Sequence, residues 1–296
     1  MSALSLVSLL AFSVAAQSQP APPPLGQLVD VGGYRVHIYC TGQGSPVVVI
    51  VGAGFSFDWS LVQSGVAPRT KICTYDVSGT AWSDPGPSLT CQVRVNEVHK
   101  VLTNAKIDGP YVLVGLSVGG MVGRLYASLY PSEVAGMVIV DHAFIDVGGD
   151  APSVTSSPAF AGLDSPPVLI HQTPIVLTVE DTSNFRKLPE SIQELHRWAD
   201  SLKPALPTVE TAQDCLVQLK GTSQAANPLG NRPLVVVSTG NDLPNYKKLQ
   251  TELLALSGRS RQLMANSSFH SVEIDQPEVV VEAIRQVVNM VREIRQ

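Results

Sequence analysis

The chain contains no C-x-x-C pair, no H-E-x-x-H or H-x-H spacing, and no surplus of basic residues. The first two absences remove any sequence basis for a metal centre, so no metal is expected. The third excludes a nucleic-acid partner: 20 Lys and Arg stand against 25 Asp and Glu, a formal net charge of −5, too little positive charge to neutralise phosphates. There is no internal repeat. Charged residues are 15% of the 296 and hydrophobic residues 44%, with Gly and Pro spread along the chain, which describes a globular protein rather than a disordered one. The length allows one large domain, or one domain carrying an insertion.

No Lys or Arg precedes the first apolar stretch, "MSALSLVSLLAFSVAAQSQP". It is still uncharged, short for a bilayer span, and ends in Ala15 and Ala16 before a polar, Pro-rich segment, the profile of a signal peptide cut near Ala16. A buried N-terminal segment is the alternative. Export places the protein outside the cell or in the periplasm, with no membrane anchor after cleavage. The four cysteines, Cys40, Cys73, Cys91 and Cys215, then fit disulfides better than metal, and three pairings are open.

After the linker, Leu28 to Cys40 reads as two strands around Gly32 and Gly33, because Tyr34, Val36 and Ile38 alternate with Arg35 and His37. Pro46 to Val51 is continuously apolar and β-branched, the pattern of a strand buried on both faces. Lys71 to Tyr75, Tyr111 to Val114, Val138 to Val140 and Leu234 to Val237 repeat it, and Arg261 to Met264 adds a further strand. Between them, helical spacing covers Gln92 to Ala105, Met121 to Tyr130 and Pro277 to Ile294, the last with Val279, Ala283, Ile284, Val287, Val288 and Val291 on one face. Alternating strands and helices predict an α/β fold with a mainly parallel sheet. Residues 143–230 break the rhythm. They are Pro- and Ser-rich at first and then carry two helix-like pieces, Pro189 to Leu202 and Val209 to Leu219, which predicts an insertion over the sheet.

The run Gly115-Leu116-Ser117-Val118-Gly119 matches G-x-S-x-G between a buried strand and an amphipathic helix, the setting of a sharp turn that presents a hydroxyl. Ser117 is the expected nucleophile; an ordinary helix-capping serine is the alternative. A serine hydroxyl needs a base held by a carboxylate. His270, in a polar loop before the last helix, is the expected base. His37, His99, His142, His171 and His196 read as surface or satisfied structural histidines. Asp242, after the strand "PLVVVS", is the expected acid and gives the chain order Ser, Asp, His; Asp141, at the end of "MVIV", is the alternative acid, otherwise an acceptor for nearby backbone N–H groups. Val118 N–H supplies one oxyanion donor. The second is expected from the turn "GAGFSFDW", at Phe55 or its neighbours Gly54 and Ala53.

The segments "VDVGGYRVHIYCTGQGSPVVVI", "DWSLVQ", "ICTYDVSGTAWSDPGP", "GPYVLVGLSVGG", "RLYASLYPSEVAGMVIVDHA" and "FHSVEIDQPEVVVEAIRQVV" together resemble the α/β-hydrolase fold serine hydrolases, in particular an exported bacterial branch. The resemblance is dense over residues 29–145 and looser over 232–292. It implies an eight-stranded sheet ordered 1-2-4-3-5-6-7-8 with helices on both faces, a helical cap, and a triad of Ser117, Asp242 and His270. It also implies a Cys40 to Cys73 disulfide and leaves Cys91 and Cys215 undetermined. The chain departs from the family pattern in Leu116, where His is common, in Val77, where Arg is common, and at Phe55 or Ser56, where a further glycine is common. The domain plan is then a signal peptide at 1–16, a Pro-rich linker at 17–27, a hydrolase core at 28–142 and 231–296, and a cap at 143–230. The expected activity is cleavage of a small-molecule carboxylic ester through an acyl-enzyme. An amidase, peptidase or acyltransferase on the same triad, and a catalytically silent binding protein on the same fold, are the alternatives. Epoxide hydrolase and dehalogenase chemistry uses a carboxylate on this turn, where Ser117 stands. The apolar start of the cap, Pro166 to Leu177, fits a small or medium acyl group or packing on the sheet.

Overall fold

The computed structural model describes residues 21–141, 185–203 and 209–294, apart from 53, 89, 223–226, 241–243 and 267–269, together with the backbone of 144–145 and 168–169. The expected signal peptide, most of the first half of the cap, His142, His171 and Asp242 lie outside the described residues.

Eight strands form one sheet: β1 (Gln27–Asp30), β2 (Arg35–Thr41), β3 (Val48–Val51), β4 (Ile72–Tyr75), β5 (Tyr111–Leu116), β6 (Val134–Val140), β7 (Leu234–Ser238) and β8 (Ser260–Met264). Their order is β1-β2-β4-β3-β5-β6-β7-β8, the order the sequence resemblance implies. β2 runs antiparallel to β1 and to β4, and every other pairing is parallel. Two-residue strands at Phe144–Ile145 and Val168–Leu169 pair separately.

The continuous apolar runs are explained by burial on both faces. Alternate residues of one strand enter different cores: Val49 and Val51 of β3, Leu113 of β5 and Val236 of β7 face one, while Val48, Ile50, Val112, Val114, Val235 and Val237 face the other. The first core is closed by α2 (Cys91–Asn104), α3 (Val118–Leu129), α5 (Val209–Thr222) and α6 (Pro244–Leu254), through residues such as Val98, Met121, Cys215 and Leu253. The second is closed by α1 (Ser60–Val66) and α8 (Pro277–Ile294), where Val280, Ala283, Ile284, Val287 and Val291 repeat at helical spacing on the buried stripe.

The two helices expected over the sheet have different surroundings. α5 packs into the layer formed by α2 and α3, with Ala212, Cys215 and Leu219 in the core. α4 (Glu190–Ser201) instead lies on the 3-10 turn Ser56–Trp59 that follows β3, burying Ala199 against Phe55 and Phe57 with Trp82 and Trp198 alongside. A short helix, α7 (Val272–Asp275), joins the His270 loop to α8.

Cys40 and Cys73 face each other directly in the β2–β4 register and form a disulfide. The second bridge, Cys91 to Cys215, ties the first residue of α2 to α5 across 124 residues of sequence. Closing so long a loop removes much entropy from the unfolded chain, and both cysteines are buried in the first core. Replacing Cys91 and Cys215 together by Ala is expected to lower stability by about 2–5 kcal/mol in urea unfolding; a loss below about 1 kcal/mol would contradict this.

Candidate active site

β5 ends at Leu116, and α3 begins two residues later. The intervening Ser117 has φ 53° and ψ −124°, a conformation that non-glycine residues seldom adopt and that the surroundings must enforce. Its N–H donates to Val140 O at 3.0 Å, and its own carbonyl accepts from Gly120 N–H at 3.0 Å, so the turn is held on both sides. The flanking glycines are required by space. A Cβ at 115 would lie 2.4 Å from the Gly119 carbonyl carbon, and one at 119 would lie 2.0 Å from Val51 O. Ser117 is 8% exposed, at the N-terminus of α3, where the Val118 N–H precedes the first intrahelical acceptor.

Parallel pairing places Leu116 opposite Val140, so the residue after β6, Asp141, leaves the sheet beside Ser117. Asp141 also has positive φ, 39°, and its N–H donates to Val237 O at 2.9 Å. The carboxylate is 1% exposed. Oδ1 accepts from Thr239 Oγ1 at 3.0 Å and from Tyr246 Oη at 2.9 Å, and Oδ2 lies 2.6 Å from His270 Nδ1. Burial pushes the Asp141 carboxyl up, but the hydrogen bond and charge of His270, with the Tyr246 and Thr239 hydroxyls, outweigh it and hold it below its ordinary value. Tyr246 is pushed the other way, by burial first and then by the Asp141 charge, which keeps it a hydroxyl donor. Its oxygen also accepts the Thr239 N–H at 2.8 Å.

The structure thus brings Asp141, the alternative acid, to His270, while the preferred Asp242 lies outside the described residues. The Asp141 carboxylate engages the side chains of Thr239, Tyr246 and His270, whereas a purely structural acceptor was expected to engage backbone N–H groups. His270 is 16% exposed at its side chain and stands two residues before α7.

The turn after β3 differs from expectation at Phe55. Its N–H donates to Asp58 Oδ2 at 3.0 Å, so this donor is already engaged by a carboxylate three residues on. Gly54 precedes it with φ 73°, and Ala53 lies outside the described residues. The buried Arg94 of α2 donates from Nη2 to Gly52 O at 2.8 Å and holds the exit of β3. Leu116 and Val77, the two departures beside the site, are both buried, and Leu116 joins the α1 and α8 core. His37 is buried on Asp76, and His99 stacks on Tyr130 with Glu133 as partner. His196 is buried on Asp58. Sequence reasoning passes over Thr239, Tyr246, Asp58 and Glu273. Asp58 alone carries a local signal, its spacing three residues after Phe55, the reach of a capping carboxylate.

Glu273 of α7 is 4% exposed, and its Oε2 has no hydrogen-bond partner among the described residues. Burial pushes its carboxyl up to about 8, with a backbone hydrogen bond opposing and the charges of Asp58 and Asp141 adding to the rise. Among the described residues no group of His, Cys, Asp and Glu is arranged to hold a metal, and no described helix is long and apolar enough to cross a membrane.

The sequence profile of the alpha/beta hydrolase fold matches residues 45–163. The uncharacterized protein YqjL of Bacillus subtilis is 23% identical over 264 residues, 86% of this chain and 88% of that protein. Two further curated relatives are matched over 15% and 18% of their own length. Among solved structures, a thermophilic esterase from Thermogutta terrifontis superposes with a TM-score of 0.60 at 20% identity, covering 87% of this chain and 94% of that one. An epoxide hydrolase from Bacillus megaterium superposes with a TM-score of 0.62 at 13% identity, covering 89% of this chain and 100% of that one. These likenesses show the fold.

The Glu273 shift has a definite sign. Below about pH 4.5 the folded and unfolded chains both hold the proton, and between about 4.5 and 8 the folded chain alone holds it. Stability therefore falls through this window by up to ~1.4 kcal/mol per pH unit from this group. Glu273→Gln removes the titration, so its stability relative to the parent protein is expected to grow from pH 5 to pH 8 in urea unfolding. A difference that stays constant with pH would contradict the assignment.

Proposed function

We propose that this chain, which has the α/β-hydrolase fold, is a serine hydrolase that cleaves a carboxylic ester of a small molecule through an acyl-enzyme. In this reading Ser117 is the nucleophile, His270 the general base and Asp141 the acid that holds it. The observation that carries it is the adjacency of the strained Ser117 turn to the buried Asp141–His270 pair, joined by the Leu116–Val140 register.

The chemistry follows from the ring's two nitrogens. With Nδ1–H held by Asp141 Oδ2, the imidazole presents Nε2 as its basic nitrogen. Nε2 takes the Ser117 hydroxyl proton as Oγ attacks the ester carbonyl. Negative charge then develops on the carbonyl oxygen at the positive end of α3, where Val118 N–H donates; Gly54 N–H, from the turn after β3, is the second donor in place of Phe55. Collapse expels the alcohol, which takes the proton from His270. Water, deprotonated by the same nitrogen, attacks the acyl-enzyme and releases the acid and Ser117. The low-lying Asp141 carboxyl keeps its charge through the cycle, so the imidazolium formed in each step has a fixed counterion. No step needs a cofactor.

Ser117 also bears on the epoxide hydrolases among the structural neighbours, whose chemistry needs a carboxylate at the turn. Export to an oxidising compartment belongs to the same proposal and is supported by the two disulfides.

With p-nitrophenyl acetate as substrate, Ser117→Ala and His270→Ala are each expected to lower kcat/KM by at least ~10^3-fold, and Asp141→Asn by roughly 10^3- to 10^4-fold. Asp242→Asn is expected to stay within about 3-fold of the parent protein. Undiminished turnover in Ser117→Ala would dispose of the nucleophile. A large loss in Asp242→Asn with little in Asp141→Asn would transfer the acid to residue 242. Labelling of the parent protein, but not of Ser117→Ala, by a fluorophosphonate separates an activated serine from a silent binding protein.

A further inference from the structure

Two more Nδ1 to carboxylate pairs lie next to the site and have no part in the proton transfers above. His37 Nδ1 lies 2.7 Å from Asp76 Oδ2, and His196 Nδ1 lies 2.8 Å from Asp58 Oδ1. In both pairs the other carboxylate oxygen accepts a backbone N–H from the same turn. Ser56 N–H donates to Asp76 Oδ1 at 2.7 Å, and Phe55 N–H donates to Asp58 Oδ2 at 3.0 Å. Successive amides of the turn that follows β3 are thus held by two different carboxylates, each backed by a different imidazole.

The two clamps have different origins. His37 belongs to β2 and Asp76 directly follows β4, its N–H donating to His37 O at 3.1 Å, and both side chains are fully buried. His196 is 138 residues from Asp58 and arrives on α4. Its ring meets Phe55 edge-on at 5.1 Å and Phe185 at 5.3 Å, and its Nε2 lies 3.6 Å from Asp200 Oδ2. Gly54 is fitted to the same carboxylate: it has φ 73°, and a Cβ there would come within 2.8 Å of Asp58 Oδ2.

We propose that His196 is a positioning residue for ester cleavage: seating of α4 brings its imidazole to Asp58, which holds the Phe55 amide and so fixes the Gly54 turn that receives the oxyanion. This rests on the serine-hydrolase reading. The physical reason is the cost of an uncompensated buried charge. Asp58 is 3% exposed and shares its surroundings with Asp141 and Glu273, whose carboxyl is pushed up by both. Without the His196 donor, the Asp58 carboxylate is drawn toward water and the Phe55 N–H loses its acceptor. The Ser56 clamp is unaffected, because its partners sit on β2 and directly after β4. A misplaced oxyanion donor weakens the transition state more than substrate binding, so the loss falls on kcat rather than KM.

The test compares the full-length protein with His196→Ala and His196→Asn, whose amide donor stands near the position of Nδ1–H. Residue-resolved amide exchange is expected to speed up at Phe55 by at least ~10-fold in the Ala variant, while Ser56 stays within about 2-fold. With p-nitrophenyl acetate, kcat is expected to fall roughly 10- to 100-fold with KM within about 3-fold. The Asn variant recovers both exchange and rate. Equal acceleration at Phe55 and Ser56 would mean that α4 merely packs, and unchanged Phe55 exchange, or an Asn variant no better than Ala, would overturn the clamp. If the parent protein neither turns over the ester nor takes a fluorophosphonate, the serine-hydrolase reading falls and the catalytic part of this proposal with it, while the exchange data still decide whether His196 holds the turn.

Discussion

Parallel registry between β5 and β6 is the constraint on which the site depends. It sets Leu116 opposite Val140, so the chain leaves both strands at the same height, through Ser117 on one and Asp141 on the other. The ladder continues one residue past each strand, with Ser117 N–H on Val140 O and Asp141 N–H on Val237 O. Both residues pay for this continuation in backbone strain, with φ of 53° and 39°. Gly115 and Gly119 make the first bend sterically possible, and the apolar cores on both faces of the sheet hold the strands that impose it. A slip of one residue in this pairing would move the serine away from the carboxylate and turn each strand's buried set over.

Around that bend the structure gathers three carboxyl groups in little water: Asp58, Asp141 and Glu273. Three like charges in one buried region would repel one another, and each carboxyl group is accommodated differently. Asp141 has His270 and two hydroxyls, Asp58 has His196 and a backbone amide, and Glu273 keeps its proton to about pH 8. In the proposed mechanism, the first of these arrangements performs acid–base chemistry and the second shapes the turn that stabilises negative charge. The third lowers the stability of the folded state as pH rises from about 4.5 to 8.

Much of the architecture was legible because buried parallel strands announce themselves as β-branched apolar runs, such as Pro46 to Val51, and because α8 carries a clear helical stripe. The sharp turn at Ser117 and the placement of His270 before a helix were legible from local context, a glycine-flanked strand end and a polar loop. The partner of His270 was not. Asp141 and Asp242 both follow a strand, and chain order favoured the latter; what brings Asp141 to His270 is strand registry together with Thr239 and Tyr246, about 100 residues away in sequence, which no local pattern carries. The engagement of the Phe55 amide is hidden for a related reason. Glycines marked the turn as a place of close approach, but the Asp58 carboxylate three residues later had already engaged the N–H. His196 looked like one more histidine on a helix face, since only the docking of α4 reveals its partner. The helices α1 and α6 are not legible in the sequence either; the first is seven residues long and contains Gly65, and tertiary packing rather than propensity forms it.

The central claim is that Ser117 becomes covalently acylated because an imidazole held by Asp141 removes its proton. Rapid-quench mass spectrometry with peptide mapping, after mixing the protein with p-nitrophenyl acetate, tests it most directly. The account predicts one acetyl group, transient, on the peptide containing Ser117, and its formation greatly slowed in Asp141→Asn. Turnover with the acetyl group on another side chain, or formed at the same rate in Asp141→Asn, would contradict it.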